Sequence, residues 1–448
     1  MAIVPAKRRF PLVNALIETF GFSPGFATAI ALVIAAIAAS TFVWILRSAP
    51  PDRIVLTTGP EGSSFQRWAR EYQQRLASHG VTLEILPSAG ALENLQRLQN
   101  PDTQVDLGFV PGGLADEESR TRLVSLGSVA YQPLMVFYRH PERITRLSEL
   151  AGGRIAVGAL GSGTRALATT LLQANGISGA PTTFVDLEAG PAAAALLAGE
   201  LDAAFFMGDS SSLQTLRSLV RAPDIHLFSF AQADAYIRRR DYLNKIILPQ
   251  GSFDFGANLP AQDVVLIGPT VELVARKGLN SALSDLLLGV AKEVHGPANL
   301  LQKRGEFPAP LEQDIPLSED ALRYYKSGKT FLYRTVHNFW LASLLNRLLF
   351  VVVPLILVLI PAIRFLPFAY RLSILLRFYR CYRPLLHVER ETFGPVSPAR
   401  AQELLERIDE IEATVNHLKI PASFGDRFYW LRSHIASVRQ RLQSFRTA

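Results

Sequence analysis

Residues 53–64 read Arg-Ile-Val-Leu-Thr-Thr-Gly-Pro-Glu-Gly-Ser-Ser, and this stretch carries the pattern on which the middle of the chain is built. A short apolar strand ends in a glycine turn, and a helix is predicted over residues 65–78 from its helical spacing of apolar side chains. The same order returns at residues 155–175, where the turn at 158–164 reads Gly-Ala-Leu-Gly-Ser-Gly-Thr. A repeated unit of strand, turn and helix predicts α/β lobes.

Working outward, the same rhythm continues on both sides of the second turn. Further strands are predicted at 81–86, 106–110, 133–138, 183–185 and 201–206, and further helices at 91–99 and 189–198. This alternation predicts mainly parallel sheets with covered faces. We expect two similar lobes, lobe 1 at about 50–136 plus 250–336 and lobe 2 at about 137–249, with a ligand cleft at the carboxyl ends of their strands.

Two uncharged apolar stretches bracket this region, at residues 25–46 and 348–363. The first is long enough to cross a bilayer, and the arginines beside the shorter second stretch can snorkel. We therefore predict transmembrane helices at 25–46 and 341–366. The alternatives are a cleaved signal peptide for the first stretch and a buried core helix for the second. The length of the first stretch, and Pro354 and Pro361 in the second, favour two spans.

The distribution of charge predicts which side of the membrane each part occupies. Residues 1–46, 339–370 and 371–448 carry net charges of +2, +2 and +5, and the whole chain carries +7, which leaves the middle at −2. Because positive loops stay inside, we expect a cytoplasmic segment at 1–24, a periplasmic domain at 50–336 and a cytoplasmic tail at 371–448 of a bacterial inner-membrane protein. The basic ends match a lipid bilayer as partner, and no nucleic acid is expected.

Seven motifs in the middle of the chain resemble one known family. They lie at residues 56–64, 87–94, 105–110, 130–134, 147–152, 161–165 and 196–204. In this order they resemble the TAXI family, the TRAP-associated extracytoplasmic solute receptors, in the membrane-anchored branch with two transmembrane helices. The resemblance implies an α/β, two-lobed type II periplasmic-binding-protein-like ectodomain. It also implies a small organic solute, carboxylate or amino-acid-like, and a TRAP-type permease subunit as partner.

The two glycine turns are the candidate ligand site. Hydroxyls and free amides at helix starts attract anions, although Ser is equally a favoured N-cap. Asn94 is read either as a ligand donor or as part of a local turn bond, and Tyr131, which matches a family position near the cleft, as a ligand contact or a core residue. The candidate ligand-binding residues are Gly62, Ser63, Ser64, Gly90, Asn94, Tyr131, Gly161, Ser162, Gly163, Thr164 and Phe206. Glu61 departs from the family pattern, so it faces solvent or the ligand is zwitterionic or cationic.

An enzyme is not expected from these residues. The predicted exported domain, residues 50–336, has no H-E-x-x-H and no G-x-S-x-G, and its residues 158–165 lack the lysine of a P-loop. We therefore expect no catalytic residue, metal or cofactor. The only cysteine, Cys381, falls in the predicted tail, so the exported part has no disulfide.

The sequence of the tail predicts two amphipathic helices, at 399–419 and 426–445, and Ile420-Pro421 ends the first of them. Together they predict a C-terminal α-helical hairpin or a self-associating pair. The favoured function is a membrane-anchored receptor that captures a small organic solute, preferably an anion, for a TRAP-type transport system. The alternatives are a ligand sensor that signals through the tail and a membrane scaffold that binds no solute.

Overall fold

A computed structural model describes residues 11–20, 22–311, 314–336, 338–394, 396–418 and 424–447. The chain divides into two compact units, one built from its two ends and one from Ala49–Leu345, the central unit. The N-terminal positions 1–10 and the predicted helix stop at Ile420-Pro421 lie outside the described residues.

The central unit contains the strands and helices that the sequence predicts between residues 53 and 206, together with strands at 123–131, 226–227, 243–248 and 264–276 that were not predicted. Its strands are β1 (Arg53–Thr57), β2 (Thr82–Leu86), β3 (Leu107–Pro111), β4 (Leu123–Tyr131), β5 (Met135–Tyr138), β6 (Arg154–Ala156), β7 (Thr183–Val185), β8 (Ala203–Phe206), β9 (His226–Leu227), β10 (Leu243–Leu248) and β11 (Val264–Arg276). Counting from α1 (Pro11–Phe20) and α2 (Pro24–Arg47), its helices are α3 (Ser64–Ser78), α4 (Ala91–Gln99), α5 (Glu117–Arg122), α6 (Gly163–Ala174), α7 (Ala189–Leu197), α8 (Leu213–Arg221), α9 (Ala233–Arg239), α10 (Ser281–His295), α11 (Glu319–Ser327) and α12 (Phe331–Thr335).

These elements form two sheets. The first has the order β10-β11-β3-β1-β2 with β4 also paired to β11, and the second has the order β7-β6-β8-β5-β9. In the first sheet, β1 lies between β2 and β3, and β11 pairs with β3. In the second sheet, β6 lies between β7 and β8, and β5 pairs with β8. The predicted two-lobed α/β fold class is confirmed.

The prediction of mainly parallel sheets is wrong, because both sheets are mixed. The pairs of β1 with β2 and β3, and of β6 with β7 and β8, are parallel. Every described pair that includes β5 or β11 is antiparallel. Strands β5 and β11 lie where the chain passes between the lobes, and each runs antiparallel to its neighbours.

Strand β11 joins the two cores. Its first half pairs with β10, and its second half pairs with β3 and β4. Ile267 is buried with lobe-two side chains, whereas Leu273 is buried with α3, α10 and the first sheet. The strand therefore belongs to both hydrophobic cores, and the lobe boundaries given above remain a prediction.

The second unit is helical. It holds α1, α2, most of α13 (Phe339–Glu391), α14 (Pro398–Asn416) and α15 (Gly425–Thr447). By length and composition, α2 and α13 could each cross a membrane. Helix α13 contains Pro354, Pro361, Pro367 and Pro384. Helices α14 and α15 form the predicted hairpin, whose apolar sides pack on the last turns of α13 around Cys381.

Candidate functional site

The two glycine turns, 59–64 and 158–164, both contribute to the lining of one cavity between the lobes. Ser63 and Ser162 cap α3 and α6, since their Oγ atoms accept hydrogen bonds from the backbone N–H groups of Gln66 at 3.3 Å and Arg165 at 3.1 Å. Both serines are buried. The two serines are therefore N-caps, and each Oγ is hydrogen-bonded to a backbone amide of its own helix.

The turns themselves need glycine. Gly62 has φ +79° and Gly161 has φ +82°, which L side chains rarely adopt. The carbonyl of Gly161 accepts a hydrogen bond of 3.0 Å from the N–H of Glu93 in lobe 1. This bond brings the lobe-two turn against the first turn of α4.

Asn94 is an internal structural residue. It is fully buried, and its Oδ1 accepts hydrogen bonds from the hydroxyls of Thr57 and Ser88, both at 2.8 Å. Its Nδ2 donates to the carbonyl of Phe109 at 3.1 Å. These bonds join β1, α4 and β3, which are separate along the chain, so they are not the local turn bond considered as the alternative for this side chain.

A carboxylate of the chain itself lies between the turns. Asp209, just after β8, is completely buried, and its Oδ2 accepts hydrogen bonds from the N–H of Gly163 at 2.6 Å and of Ala91 at 3.4 Å. Its Oδ1 accepts from the hydroxyls of Thr164 at 2.9 Å and Ser210 at 3.0 Å. Four donors from both lobes thus converge on one carboxylate.

Sequence reasoning missed Asp209, although a signal for it exists. Residues 205–212 read Phe-Phe-Met-Gly-Asp-Ser-Ser-Ser directly after a buried strand. Polar residues at the carboxyl end of a strand are where α/β proteins place their sites. Gly90 belongs to the same arrangement, since a Cβ there would lie 2.8 Å from Asp209 Oδ2.

Beside this polar contact lies a cavity of about 340 Å³ between the lobes, which we call the interlobe cavity. It is lined by predicted site residues Ser64, Tyr131 and Phe206, and most of its remaining wall is apolar. The lining also includes Arg67, Trp68, Met135, Leu216 and Phe253.

Arg67 on α3 is the only charged side chain among the residues that line the interlobe cavity. A guanidinium next to apolar walls suits a carboxylate or sulfonate on an apolar body. A second cavity of about 230 Å³ is lined by Glu61, Glu188 and Thr164 together with Phe206. Its two carboxylates repel an anion, so the first cavity is the better fit for one.

Tyr131 is held at the wall of the interlobe cavity by a hydrogen bond from its hydroxyl to Glu306 Oε1 at 2.9 Å. Its ring meets the ring of Phe307 edge to face at 4.9 Å. Burial, followed by the hydrogen bond to Glu306, raises the pKa of Tyr131 to about 12. The ring of Tyr131 is therefore available to a ligand, whereas its hydroxyl hydrogen is already bonded to Glu306.

Glu61 faces solvent, which is one of the two alternatives considered for it. Its side chain is 88 % exposed and lies 3.5 Å from the guanidinium of Arg70. Because water screens an exposed charge, Glu61 opposes an anion less strongly than a buried acid would.

The model of the NMT1-like family matches residues 62–326, more than half of the chain, and the chain therefore belongs to that family, which is of the periplasmic solute-binding type. Three solved structures are similar to parts of it. The periplasmic aliphatic sulphonate binding protein SsuA from Escherichia coli is 14 % identical, with 55 % of this chain and 69 % of that chain covered and a TM-score of 0.34. An ancestral arginine-binding protein bound to arginine is 16 % identical, with 54 % and 92 % covered and a TM-score of 0.34. The regulatory domain of CcmR from Synechocystis PCC6803, in complex with 2-PG, is 14 % identical, with 54 % and 97 % covered and a TM-score of 0.36.

Proposed function

We propose that this NMT1-like family member is a membrane-anchored periplasmic receptor that captures a small organic anion in the interlobe cavity. The observation that carries the proposal is an apolar cavity between two lobes with Arg67 as the one charged side chain among its lining residues. The apolar walls would hold the body of the solute, and Arg67 would pair its carboxylate or sulfonate. No chemistry is required of any residue, so the proposal is a binding protein and not an enzyme.

Anchoring to the membrane is part of the same proposal. Helices α2 and α13 have the length and hydropathy of membrane spans. With basic residues concentrated at the two ends of the chain, the positive-inside rule puts both termini in the cytoplasm and Ala49–Leu345 in the periplasm.

The receptor would serve a TRAP-type transport system, as the TAXI-like motifs imply. A receptor held at the membrane is confined near its permease, which raises its local concentration above that of a freely diffusing receptor. This is a reason for anchoring a protein whose relatives are of the solute-binding type.

One observation favours signalling as a second candidate function. Helix α13 begins at Phe339, which is buried among central-unit side chains, and continues without a break to Glu391 in the helical unit. A continuous helix can carry a rotation or shift from a binding domain to a tail. Solute-dependent hydrogen exchange in α14 and α15 would support the sensor, and unchanged exchange there would leave transport as the function.

The test is solute binding by the full chain in lipid nanodiscs. Thermal unfolding would be followed with carboxylates, sulfonates, amino acids and small cations as the panel. A ligand at 100 times its Kd stabilises the folded state by about 2.7 kcal/mol. We expect hits among organic anions with apolar bodies, and no hit from any class in a folded protein would contradict the proposal.

Arg67→Met should weaken the best hit at least tenfold, because it removes the only charged partner in the cavity lining. The matched control is Arg70→Met, one turn along the same helix, whose guanidinium pairs with exposed Glu61. Equal loss of affinity in both variants would argue against Arg67 as the anion partner.

A further inference from the structure

The start of two helices, one from each lobe, points at a single carboxylate. Ala91 is the first residue of α4 in lobe 1, and Gly163 is the first residue of α6 in lobe 2. The amides of a first helical turn have no acceptor inside the helix, and the helix dipole adds about half a positive charge there. Both N–H groups donate to Asp209 Oδ2, at 3.4 and 2.6 Å.

The backbone next to Asp209 is also hydrogen-bonded to lobe 1. The N–H of Ser64 in lobe 1 donates to the carbonyl of Gly208 at 2.9 Å. With the carboxamide oxygen of Gln132 turned towards this segment, it accepts from the N–H of Gly208 at 2.9 Å and of Asp209 at 2.5 Å. A Cβ on Gly208 would lie 2.6 Å from Ser64 Oγ, so the two lobes are in van der Waals contact here.

Burial of a charged group is costly unless hydrogen bonds replace its water. Asp209 meets this condition with two backbone N–H groups and the hydroxyls of Thr164 and Ser210. The same donors are those that a free carboxylate would need at this place. An external anion therefore finds the position filled.

We propose that Asp209 is a tethered anion that occupies the carboxylate site made by α4 and α6 and holds the two lobes together without a solute. Its removal would convert this position into a binding site for a small free carboxylate. The inference concerns a different position from Arg67 and stands whether or not the interlobe cavity binds an organic anion.

The experiment is chemical rescue of Asp209→Ala with sodium formate, in the full chain in nanodiscs, with sodium chloride at equal ionic strength as the reference. We expect the midpoint of thermal unfolding to fall by about 5–10 °C in Asp209→Ala, because buried donors lose their partner, and to recover partly in formate. The wild-type midpoint should be the same in formate and chloride.

Asp209→Asn is the matched control. Its carboxamide fills the same space but turns an NH₂ group towards N–H donors, so it should be destabilised without being rescued by formate. Wild-type stability in Asp209→Ala, or the same response to formate in all three proteins, would overturn the proposal.

Hydrogen exchange of the wild-type protein gives a second measurement if Asp209→Ala does not fold. Peptides that cover residues 88–93 and 161–165 should be protected in solute-free protein, since the first-turn amides of α4 are bonded across the lobes and the N–H of Gly163 is bonded to Asp209. Exchange of both peptides at the rate of an exposed loop would show that Asp209 does not close the lobes, and would overturn the proposal. A failed solute panel with a successful formate rescue would reject only the function proposed above.

Discussion

At the scale of residues, His295 shows how burial changes the chemistry of one side chain. It lies 4 % exposed at the end of α10, where its ring meets Trp68 edge to face at 5.0 Å and lies 5.7 Å from Tyr72. Loss of hydration, with a smaller effect of nearby Arg75, lowers the pKa of His295 to about 3 from its usual 6.5. The folded protein therefore keeps this imidazole neutral.

This depressed pKa predicts a loss of stability in mild acid. Below pH 6.5 the unfolded chain binds a proton at His295 that the folded chain does not, so the free energy of unfolding falls as the pH drops towards 3. Between pH 7 and pH 5 this contribution amounts to about 2 kcal/mol. Wild-type protein should therefore lose about 4–8 °C more of its thermal midpoint over this interval than His295→Leu does.

The matched control for that comparison is His140→Leu, which changes an exposed histidine of lobe 2. It should keep the wild-type dependence of the midpoint on pH. If His295→Leu and wild type lose stability in parallel between pH 7 and pH 5, His295 is protonated in the folded state and the expectation is wrong.

The candidate site shows what sequence can and cannot predict about single residues. The glycine turns were predictable because positive φ and helix capping leave a local pattern, as at Gly62 and Ser63. The bonding of Asn94 to Thr57 and Phe109, and of Asp209 to Gly163, depends on segments far apart in the chain. Which donors such side chains meet follows from how the sheets are joined, and a single sequence does not encode that locally.

At the scale of elements, the same distinction separates the predicted elements from β11, which was missed together with β4, β9 and β10. Helices α3 and α4 lie within a residue of their predicted bounds, because amphipathic spacing and a capping residue mark them locally. Strand β11 has 13 residues, is almost wholly buried and has no alternating pattern. Its partners β3, β4 and β10 span both lobes, so the mixed sheets could not be derived from the βαβ rhythm.

The helical hairpin of the tail makes a prediction about Cys381. This thiol is 8 % exposed in a cluster with Leu404, Leu431 and other apolar side chains of α13, α14 and α15. Leu431→Ala removes a completely buried side chain, at a cost of about 2–5 kcal/mol for such sites. The maleimide labelling rate of Cys381 should then rise more than tenfold, because the hairpin opens more often.

Tyr429→Ala is the control for this labelling experiment, since it truncates a side chain that is 72 % exposed on the same helix. It should leave the labelling rate unchanged. Rapid labelling of Cys381 in the wild-type protein would contradict the packing of α14 and α15 on α13.

At the scale of the whole molecule, charge and hydropathy organise the chain more plainly than any motif does. The two basic ends carry a net charge of +9, while the central unit that holds both sheets is slightly acidic and brings the whole chain to +7. Helices α2 and α13 expose large apolar side chains, of which Leu32 is 71 % exposed and Leu357 is 69 % exposed. Large apolar surface of this kind on a helix is stable when lipid covers it.

This distribution predicts the sidedness of the protein in the cell. In a Cys381→Ser background, a membrane-impermeant maleimide added to intact spheroplasts should label Leu160→Cys and should label Tyr429→Cys only after lysis. Both positions are exposed, at 67 % and 72 %, so a difference in labelling reports access across the membrane rather than burial. The physical reason is the retention of Lys- and Arg-rich ends in the cytoplasm. Labelling of Tyr429→Cys before lysis would reverse or abolish the proposed topology, and labelling of the parent Cys381→Ser protein would show that the reagent reacts elsewhere.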